Sequence, residues 1–343
     1  MPEVAIEEMS PGPRPVEMLE MNRLAVIGRF ARERPARLRR VEDIAAAGLP
    51  EGRVAAGLRA FFELGGREAV YLPSLTLAPV ELPEGMGLVA APEADGDWTL
   101  LAPLAEAARA AGAMLLLDAP WAATSGAKLQ AWRQAGGADW KDAAAFAPWM
   151  LAADGGAVPP SMVAAGVVAR MERRLGVWKA PSGVQATADP YRPAVELDER
   201  AQSLTSPLGV NLFRSFPGRG HLLWGGRTLS SDVEWRYLNV RRTVRMVERS
   251  LTQALRWAAF EADGELLCAS ARMQADAFLH QLFRQGAFQG QTPQQAYFLR
   301  CERTSVAEDD RVSGRLILEM GLALTRPGEF LFWRLTLPAA ALD

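Results

Sequence analysis

Asp118 is the residue of this 343-residue sequence whose type and position best suit catalysis. It ends the apolar run AMLLLD, and α/β enzymes often place a catalytic carboxylate at the end of such a strand. A catalytic site needs further groups with complementary roles, and none accompanies Asp118 in the sequence. The favoured interpretation is therefore an aspartate that caps or anchors the following turn.

The two histidines, His221 and His280, indicate little acid–base chemistry. His221 follows a turn, and the sequence places no acidic or nucleophilic partner beside it. His280 lies opposite the apolar stripe of its predicted helix, so it should face solvent. A Ser/His/Asp relay would need one of these two residues, and neither pattern predicts one.

Metal and cofactor sites are not predicted either. Cys268 and Cys301 lie far apart and form no CxxC or Cys/His group, so neither a disulfide framework nor a zinc site is expected. GHLLWGGRT superficially approaches a phosphate-binding loop, but it lacks the required Lys. GxSxG, HExxH and GxGxxG are absent from the sequence. We therefore expect neither an enzyme nor a bound cofactor.

One predicted helix, YLNVRRTVRMVERSLTQALRWAAF, carries two contrasting stripes. The apolar stripe consists of Val240, Val244, Val247, Leu251 and Leu255. The arginine stripe lies almost opposite and consists of Arg242, Arg245, Arg249 and Arg256. Such a stripe is either a solvated helix face or a contact for an acidic partner. Nucleic acid would suit the charge, but interleaved aromatic side chains for base stacking are missing.

Composition describes an ordinary folded protein, with 49% hydrophobic residues, 23% charged residues and a net charge of -2. A strongly basic footprint for nucleic acid is absent. The opening MPEVAIEE is acidic, and no run approaches the roughly 18 apolar residues of a membrane span. We expect a protein of a cytoplasm-like compartment, without direct membrane insertion.

The elements that would position these residues fall into two styles. Strands alternate with helices in the first half, which predicts a largely parallel α/β sheet. The second part opens with two short strands around a Pro-Gly turn and closes with β-like runs, which predicts an α+β domain. The predicted organisation is an N-terminal arm (1–20), an α/β domain (21–185), a linker (186–207), an α+β domain (208–328) and a C-terminal strand or arm (329–343).

Several long segments resemble the tail sheath proteins of contractile phages and related injection particles. They are PSMVAAGVVARMERRLGVWKAP, SPLGVNLFRSFPGRGHLLWGGRTLSSDVEWRYLNVRRTV, FLHQLFRQGAFQGQTPQQAYFLRCERT and GRLILEMGLALTRPGEFLFWRL. The first half fits more loosely, through SPGPRPVE, AVIGRFAR and LLLDAP. The similarity spans nearly the whole chain and is densest from residue 159 to residue 335.

The resemblance implies a subtilisin-like, mostly parallel α/β domain without protease chemistry, followed by an α+β sheath domain and flanked by extended arms. It also implies six-fold rings of this chain stacked around an inner tube protein, with baseplate and tail-terminator partners. The chain is short for a phage sheath, which favours an injection particle assembled in the bacterial cytoplasm. A minor sheath-like paralogue that caps the stack stays open, as do an α/β hydrolase-like enzyme and a nucleic-acid-binding protein.

Within this family resemblance, the terminal segments gain a role as arms between subunits. Residues 3–9, if extended, would span roughly 23 Å, enough to pair with the sheet edge of a neighbour. The residues assigned to these arms are Val4 and Ile6 near the N-terminus and Phe330, Phe332, Trp333 and Leu335 near the C-terminus. The arginine stripe is then a candidate contact for the inner tube.

Overall fold

The computed structural model describes residues 15–137, 139–260, 264–301 and 315–338. Contacts divide the chain into two compact units. The larger unit comprises Leu19–Met246. The smaller unit comprises Val247–Asp343 together with Met1–Met18.

An eight-stranded sheet with the order β11-β10-β6-β5-β4-β1-β3-β2 forms the centre of the larger unit. The strands of this unit are β1 (Leu24–Gly28), β2 (Ala36–Leu38), β3 (Ala69–Pro73), β4 (Leu88–Ala90), β5 (Met114–Asp118), β6 (Ala143–Ala147), β7 (Met150–Leu151), β8 (Ala157–Val158), β9 (Arg192–Pro193), β10 (Val210–Phe216) and β11 (Gly220–Trp224). Neighbours from β3 to β10 pair in parallel, and the outermost strands β2 and β11 pair antiparallel. The short strands β7, β8 and β9 form a separate antiparallel sheet.

Helices cover both faces of the eight-stranded sheet because its buried strands are apolar on both sides. The helices of the larger unit are α1 (Glu42–Ala46), α2 (Arg53–Glu63), α3 (Trp98–Ala110), α4 (Gly126–Ala135), α5 (Pro160–Leu175) and α6 (Glu199–Thr205). Alternate residues of β1 serve opposite cores. Leu24 belongs to the core of α2 and α5, whereas Ala25 belongs to the core of α3 and α4.

A close approach of α2 and α5 depends on a glycine. A methyl group at Gly166 would lie 2.7 Å from Cβ of Leu64 and 2.9 Å from the carbonyl oxygen of Phe61. The absence of a side chain at Gly166 therefore lets α2 and α5 pack closely.

Two parts of the predicted organisation differ from the structure. Residues 186–207, predicted as a linker, lie inside the larger unit, where they form β9 and α6 and bury Ala186 and Tyr191. The hairpin β10–β11, assigned to the second domain, extends the parallel sheet because Val210 pairs with Ala145 of β6. The contacts instead divide the chain between Met246 and Val247.

The smaller unit combines helices with a three-stranded antiparallel sheet. Helix α7 (Leu238–Ala254) crosses the division between the units. It is followed by a 3-10 helix (Arg256–Phe260), α8 (Gly264–Arg284), α9 (Pro293–Ala296), β12 (Tyr297–Arg300), β13 (Arg315–Leu322) and β14 (Leu331–Pro338). The sheet order is β12-β13-β14, so β12 and β14 are its edges. A mixed α/β fold with a mostly parallel sheet and small antiparallel sheets is thus confirmed.

Candidate functional site

Asp118 anchors a helix in the structure. Its side chain is buried at the end of β5, and Oδ1 accepts a hydrogen bond of 2.7 Å from the backbone N–H of Ser161. Oδ2 accepts a second bond of 2.8 Å from the Ser161 hydroxyl. Ser161 lies in the first turn of α5, where backbone N–H groups lack partners within the helix. The carboxylate therefore ties the start of α5 to the sheet, the anchoring interpretation that the sequence favoured.

Burial raises the pKa of Asp118 to about 7, against the opposing effect of the two hydrogen bonds from Ser161. The folded protein thus holds a proton that the unfolded chain releases near its ordinary pKa of 3.8. The free energy of unfolding should fall by about 1.4 kcal/mol as the pH rises from about 6 to about 8. The melting temperature of the unsubstituted protein should therefore fall by about 3 °C over this range. The melting temperature of Asp118→Asn should not show this fall, because its side chain cannot titrate. Parallel pH profiles of the two proteins in thermal unfolding would contradict this assignment.

A Ser–His–acid group, which the sequence did not predict, lies on the edge hairpin. Oγ of Ser215 is 2.8 Å from Nδ1 of His221, because the two residues pair across β10 and β11. The same hydroxyl donates to Oε1 of Glu196 at 2.6 Å, and Nε2 of His221 is 4.0 Å from Oδ1 of Asp189. The Ser215 hydroxyl therefore directs its proton to the carboxylate of Glu196 and not to His221. The symmetric position of Ser215 and His221 about the Pro-Gly turn was the signal available in the sequence.

Metal and membrane sites are not apparent in the described part of the chain. Those residues contain no group of three or more His, Cys, Asp or Glu side chains placed to hold a metal ion. Among the described helices, none has the length and apolar character needed to cross a membrane. His280 is exposed on α8, as predicted.

Asp142 accepts hydrogen bonds from two arginines of α7 in the larger unit. Arg241 donates to its carboxylate through Nε at 2.7 Å and through a terminal nitrogen at 3.0 Å. Arg245 makes the same pair of bonds, both at 3.0 Å, and also donates to the carbonyl oxygen of Arg109. Burial alone would raise the pKa of Asp142, but the bonds from both arginines outweigh it and lower that pKa. Asp142 therefore stays ionised between two guanidinium groups.

Arg242 is the largest fully buried side chain in the described residues, with a side-chain exposure of 1%. It forms an ion pair with Glu172 of α5 and donates to the carbonyl oxygen of Met21 at 2.9 Å. Glu172 also accepts from the backbone N–H of Met21 and from the side-chain amide of Asn22. One carboxylate thus joins the segment before β1 to α5 and α7.

These contacts change the interpretation of the arginine stripe. Val240, Val244 and Val247 are buried as predicted, but Arg242 is buried as well and Arg245 is mostly buried on Asp142. The two arginines pair with carboxylates of the same chain. The prediction that all four guanidinium groups form an open row is therefore wrong. Arg249 is half-buried and Arg256 is exposed in the smaller unit.

The edge strand β14 of the small sheet carries the residues predicted for a C-terminal arm. β14 pairs with β13 from Leu331 to Pro338, and its other side is an edge in the sheet order. Phe332 is 62% exposed, with the rings of Phe298 and Phe330 at 6.0 and 5.8 Å from its own. Trp333 and Leu335 are half-buried. Exchange of this strand between subunits stays a prediction, and Val4 and Ile6 lie outside the described residues.

A disulfide joins Cys268 of α8 to Cys301, directly after β12. The sequence does not predict this bond, because the two cysteines are 33 positions apart. Contact between α8 and β12 brings them together, and no local motif could have indicated it.

Comparisons with known proteins assign this arrangement to a family. No family model matches the sequence. The "Putative prophage major tail sheath protein" of Pseudomonas aeruginosa (strain UCBPP-PA14) is 30% identical over 135 residues, which cover 38% of this chain and 34% of that protein. The "Tail sheath protein" of Vibrio phage KVP40 is 26% identical over 125 residues, covering 36% of this chain and 19% of that protein. The chain thus matches only about a third or less of the length of these curated relatives.

Solved structures extend the likeness to nearly the full chain. The contracted sheath complex of PVC, an extracellular contractile injection system, is 26% identical with a TM-score of 0.83, and the match covers 96% of both chains. This chain belongs to the contractile tail sheath family. A chain from the contracted baseplate structure of the anti-feeding prophage is also 26% identical, with a TM-score of 0.80 over 96% of this chain and 97% of the other. The sheath family is structural and not enzymatic, so the prediction of a protein without catalytic activity is confirmed by kinship.

Proposed function

We propose that this chain is the subunit of a contractile sheath that polymerises as stacked six-fold rings around an inner tube and contracts to drive the tube through a target envelope. The full-length likeness to the sheath of an extracellular injection system carries the proposal. The mutual coverage with that sheath also favours an injection particle over a phage tail, since the phage relatives match over a small share of their length.

The larger unit supplies a rigid body in this proposal. Its parallel sheet, covered by helices on both faces, supports the subtilisin-like topology inferred from the family. The buried ion pairs of Asp142 and Glu172 hold the start of α7, which belongs to this unit. Subunits could then rotate as units while their internal packing stays unchanged, which is the mechanism of interface switching. Energy would be stored in the subunit contacts of the extended assembly, and no nucleotide would be needed.

Arms provide the links between subunits in the proposal. Among the described residues, β14 pairs with no strand other than β13 and carries an exposed phenylalanine, which suits addition of a strand from a neighbour. Residues 1–9, with Val4 and Ile6, are the proposed donor segment. The proposed C-terminal links between subunits consist of Phe330, Phe332, Trp333 and Leu335.

The partners follow from this role. The chain would bind copies of itself, the inner tube, the baseplate and a terminator protein at the end of the stack, without nucleic acid or direct membrane insertion. Likeness to a chain of a baseplate structure supports the baseplate partner. Assembly would take place in the bacterial cytoplasm before the particle is released.

Arg256 and Arg249 are the members of the arginine stripe that we retain as tube contacts. Arg256→Glu should leave sheaths intact but release the tube at lower salt, because an exposed electrostatic contact weakens as ionic strength rises. Co-sedimentation of tube with sheath over a salt series measures this. Arg200→Glu, an exposed site on α6, is the matched control. Equal retention by both variants would exclude Arg256 from the contact.

Negative-stain electron microscopy of the purified chain tests the proposed function. We expect long hollow cylinders, alone or with the inner tube protein. Dispersed single subunits at all concentrations, with the protein folded by circular dichroism, would overturn the proposal.

A further inference from the structure

The disulfide closes one of two ties between α8 and the edge strand β12. The second tie is a hydrogen bond of 3.1 Å from the hydroxyl of Tyr297 to Oδ1 of Asp276. From Cys268 to Asp276 the helix rises about 12 Å. From Tyr297 to Cys301 the strand extends about 13 Å. The two spacings match, so both ties hold at once when helix and strand run in opposite directions.

The position of the cysteines suits a permanent link. Their Cα atoms are 5.6 Å apart, within the range that disulfides require. Cys268 is 6% exposed and Cys301 is 4% exposed, so the bond lies in the interior of the smaller unit. Nearby, Leu267, Ala271 and Ala275 bury the same side of α8. Within the chain no other cysteine competes for either thiol.

We propose that Cys268 and Cys301 are an oxidation site, at which a disulfide forms after the protein leaves a reducing compartment and pins the first half of α8 to β12. The timing rests on the proposed function, in which the particle is assembled in the cytoplasm and released. The pairing itself does not depend on that function. The pinned strand is one edge of the small sheet, so the bond fixes that edge and leaves β14 as the side for a neighbour.

The chemistry requires an oxidant, for which a small disulfide of the glutathione type suffices. One cysteine thiolate attacks a sulfur of the oxidant, which forms a mixed disulfide and releases one thiolate of the oxidant. The second cysteine thiolate then attacks the sulfur of the first cysteine in this mixed disulfide. The attack forms the Cys268–Cys301 bond and releases the second thiolate of the oxidant. The protein loses two electrons and two protons, and the oxidant becomes two thiols.

Mass spectrometry tests the pairing. Reduced full-length protein is treated with glutathione disulfide, freed of reagent, denatured without reductant and alkylated. We expect an intact mass lower by two hydrogen atoms, no alkyl adducts and a peptide that joins Cys268 to Cys301. Free thiols or glutathione adducts at both cysteines after this treatment would overturn the proposal.

Thermal unfolding and trapping in cells test the role and the timing. Oxidised protein should melt on the order of 5 °C above the reduced protein, because a cross-link of this span restricts the unfolded chain. The Cys268→Ser/Cys301→Ser protein is the control and should not respond to the oxidant. Alkylation at lysis should find two thiols in the cytoplasm and none in released particles. Equal melting of both redox forms would overturn the role, and a bond already complete in the cytoplasm would overturn the timing. Cylinders formed by the serine variant would leave the proposed function standing in either case.

Discussion

Deleting residues 1–9 is expected to yield a folded, soluble protein that no longer forms cylinders. Both apolar cores of the larger unit are built from residues between 24 and 238, so the deletion should leave that unit folded. The deletion does remove the segment proposed to pair with the sheet edge of a neighbour. Polymer formation multiplies the effect of each lost link, so we expect loss of nearly all pelletable sheath in ultracentrifugation, with an unchanged circular dichroism spectrum.

Proline substitution provides a sharper version of this experiment. Val4→Pro/Ile6→Pro keeps the length but removes backbone donors that strand addition needs, and it should act like the deletion. Val4→Thr/Ile6→Thr is the matched control, since threonine favours strands and keeps the donors. Normal sheaths from either the truncated or the proline protein would exclude the N-terminal segment as a link.

Asp142→Ala is expected to cause the largest loss of stability among single substitutions in the larger unit. It would leave Arg241 and Arg245 without the carboxylate that accepts four of their hydrogen bonds, and the side-chain exposures of Arg241 and Asp142 are each 4%. Removing one partner of a buried ion pair costs about 3–5 kcal/mol. We expect a melting temperature lower by on the order of 10 °C, measured by calorimetry.

Two variants separate the charge effect from a general loss of packing. Asp139→Ala removes an exposed carboxylate that accepts two hydrogen bonds from Ser231 but leaves no buried charge behind, so it should cost only about 1–2 kcal/mol. Asp142→Ala combined with Arg241→Met and Arg245→Met leaves no unpaired guanidinium group, and it should recover part of the lost stability. A single Asp142→Ala protein that melts like Asp139→Ala would contradict the role of this ion-pair cluster.

Local sequence patterns predicted the helices and strands well, but they did not predict which of these elements pack against one another. Alternating strands and helices predicted the parallel sheet, because β1, β4 and β5 are buried apolar runs separated by amphipathic helices. The sequence predicts the hairpin β10–β11 as two strands but places it in the second domain, whereas it belongs to the sheet of the larger unit. Its pairing with β6 joins residues far apart in the sequence, and periodicity carries no information on such contacts.

Charge patterning was the least reliable guide to the candidate site. Helical spacing placed the valines of α7 correctly, but it treats every arginine as solvated. Carboxylates remote in sequence, Asp142 and Glu172, draw Arg242 and Arg245 into the interior. The same limit applies to Cys268 and Cys301, which meet only through the packing of α8 on β12.

Cryo-electron microscopy of cylinders assembled from the purified chain is the strongest test of the proposed sheath role. We expect rings of six subunits around a hollow axis, with a strand from a neighbouring subunit along the edge of β14 or of another sheet. Cylinders without six-fold rings, or subunits that meet without any exchanged strand, would contradict it.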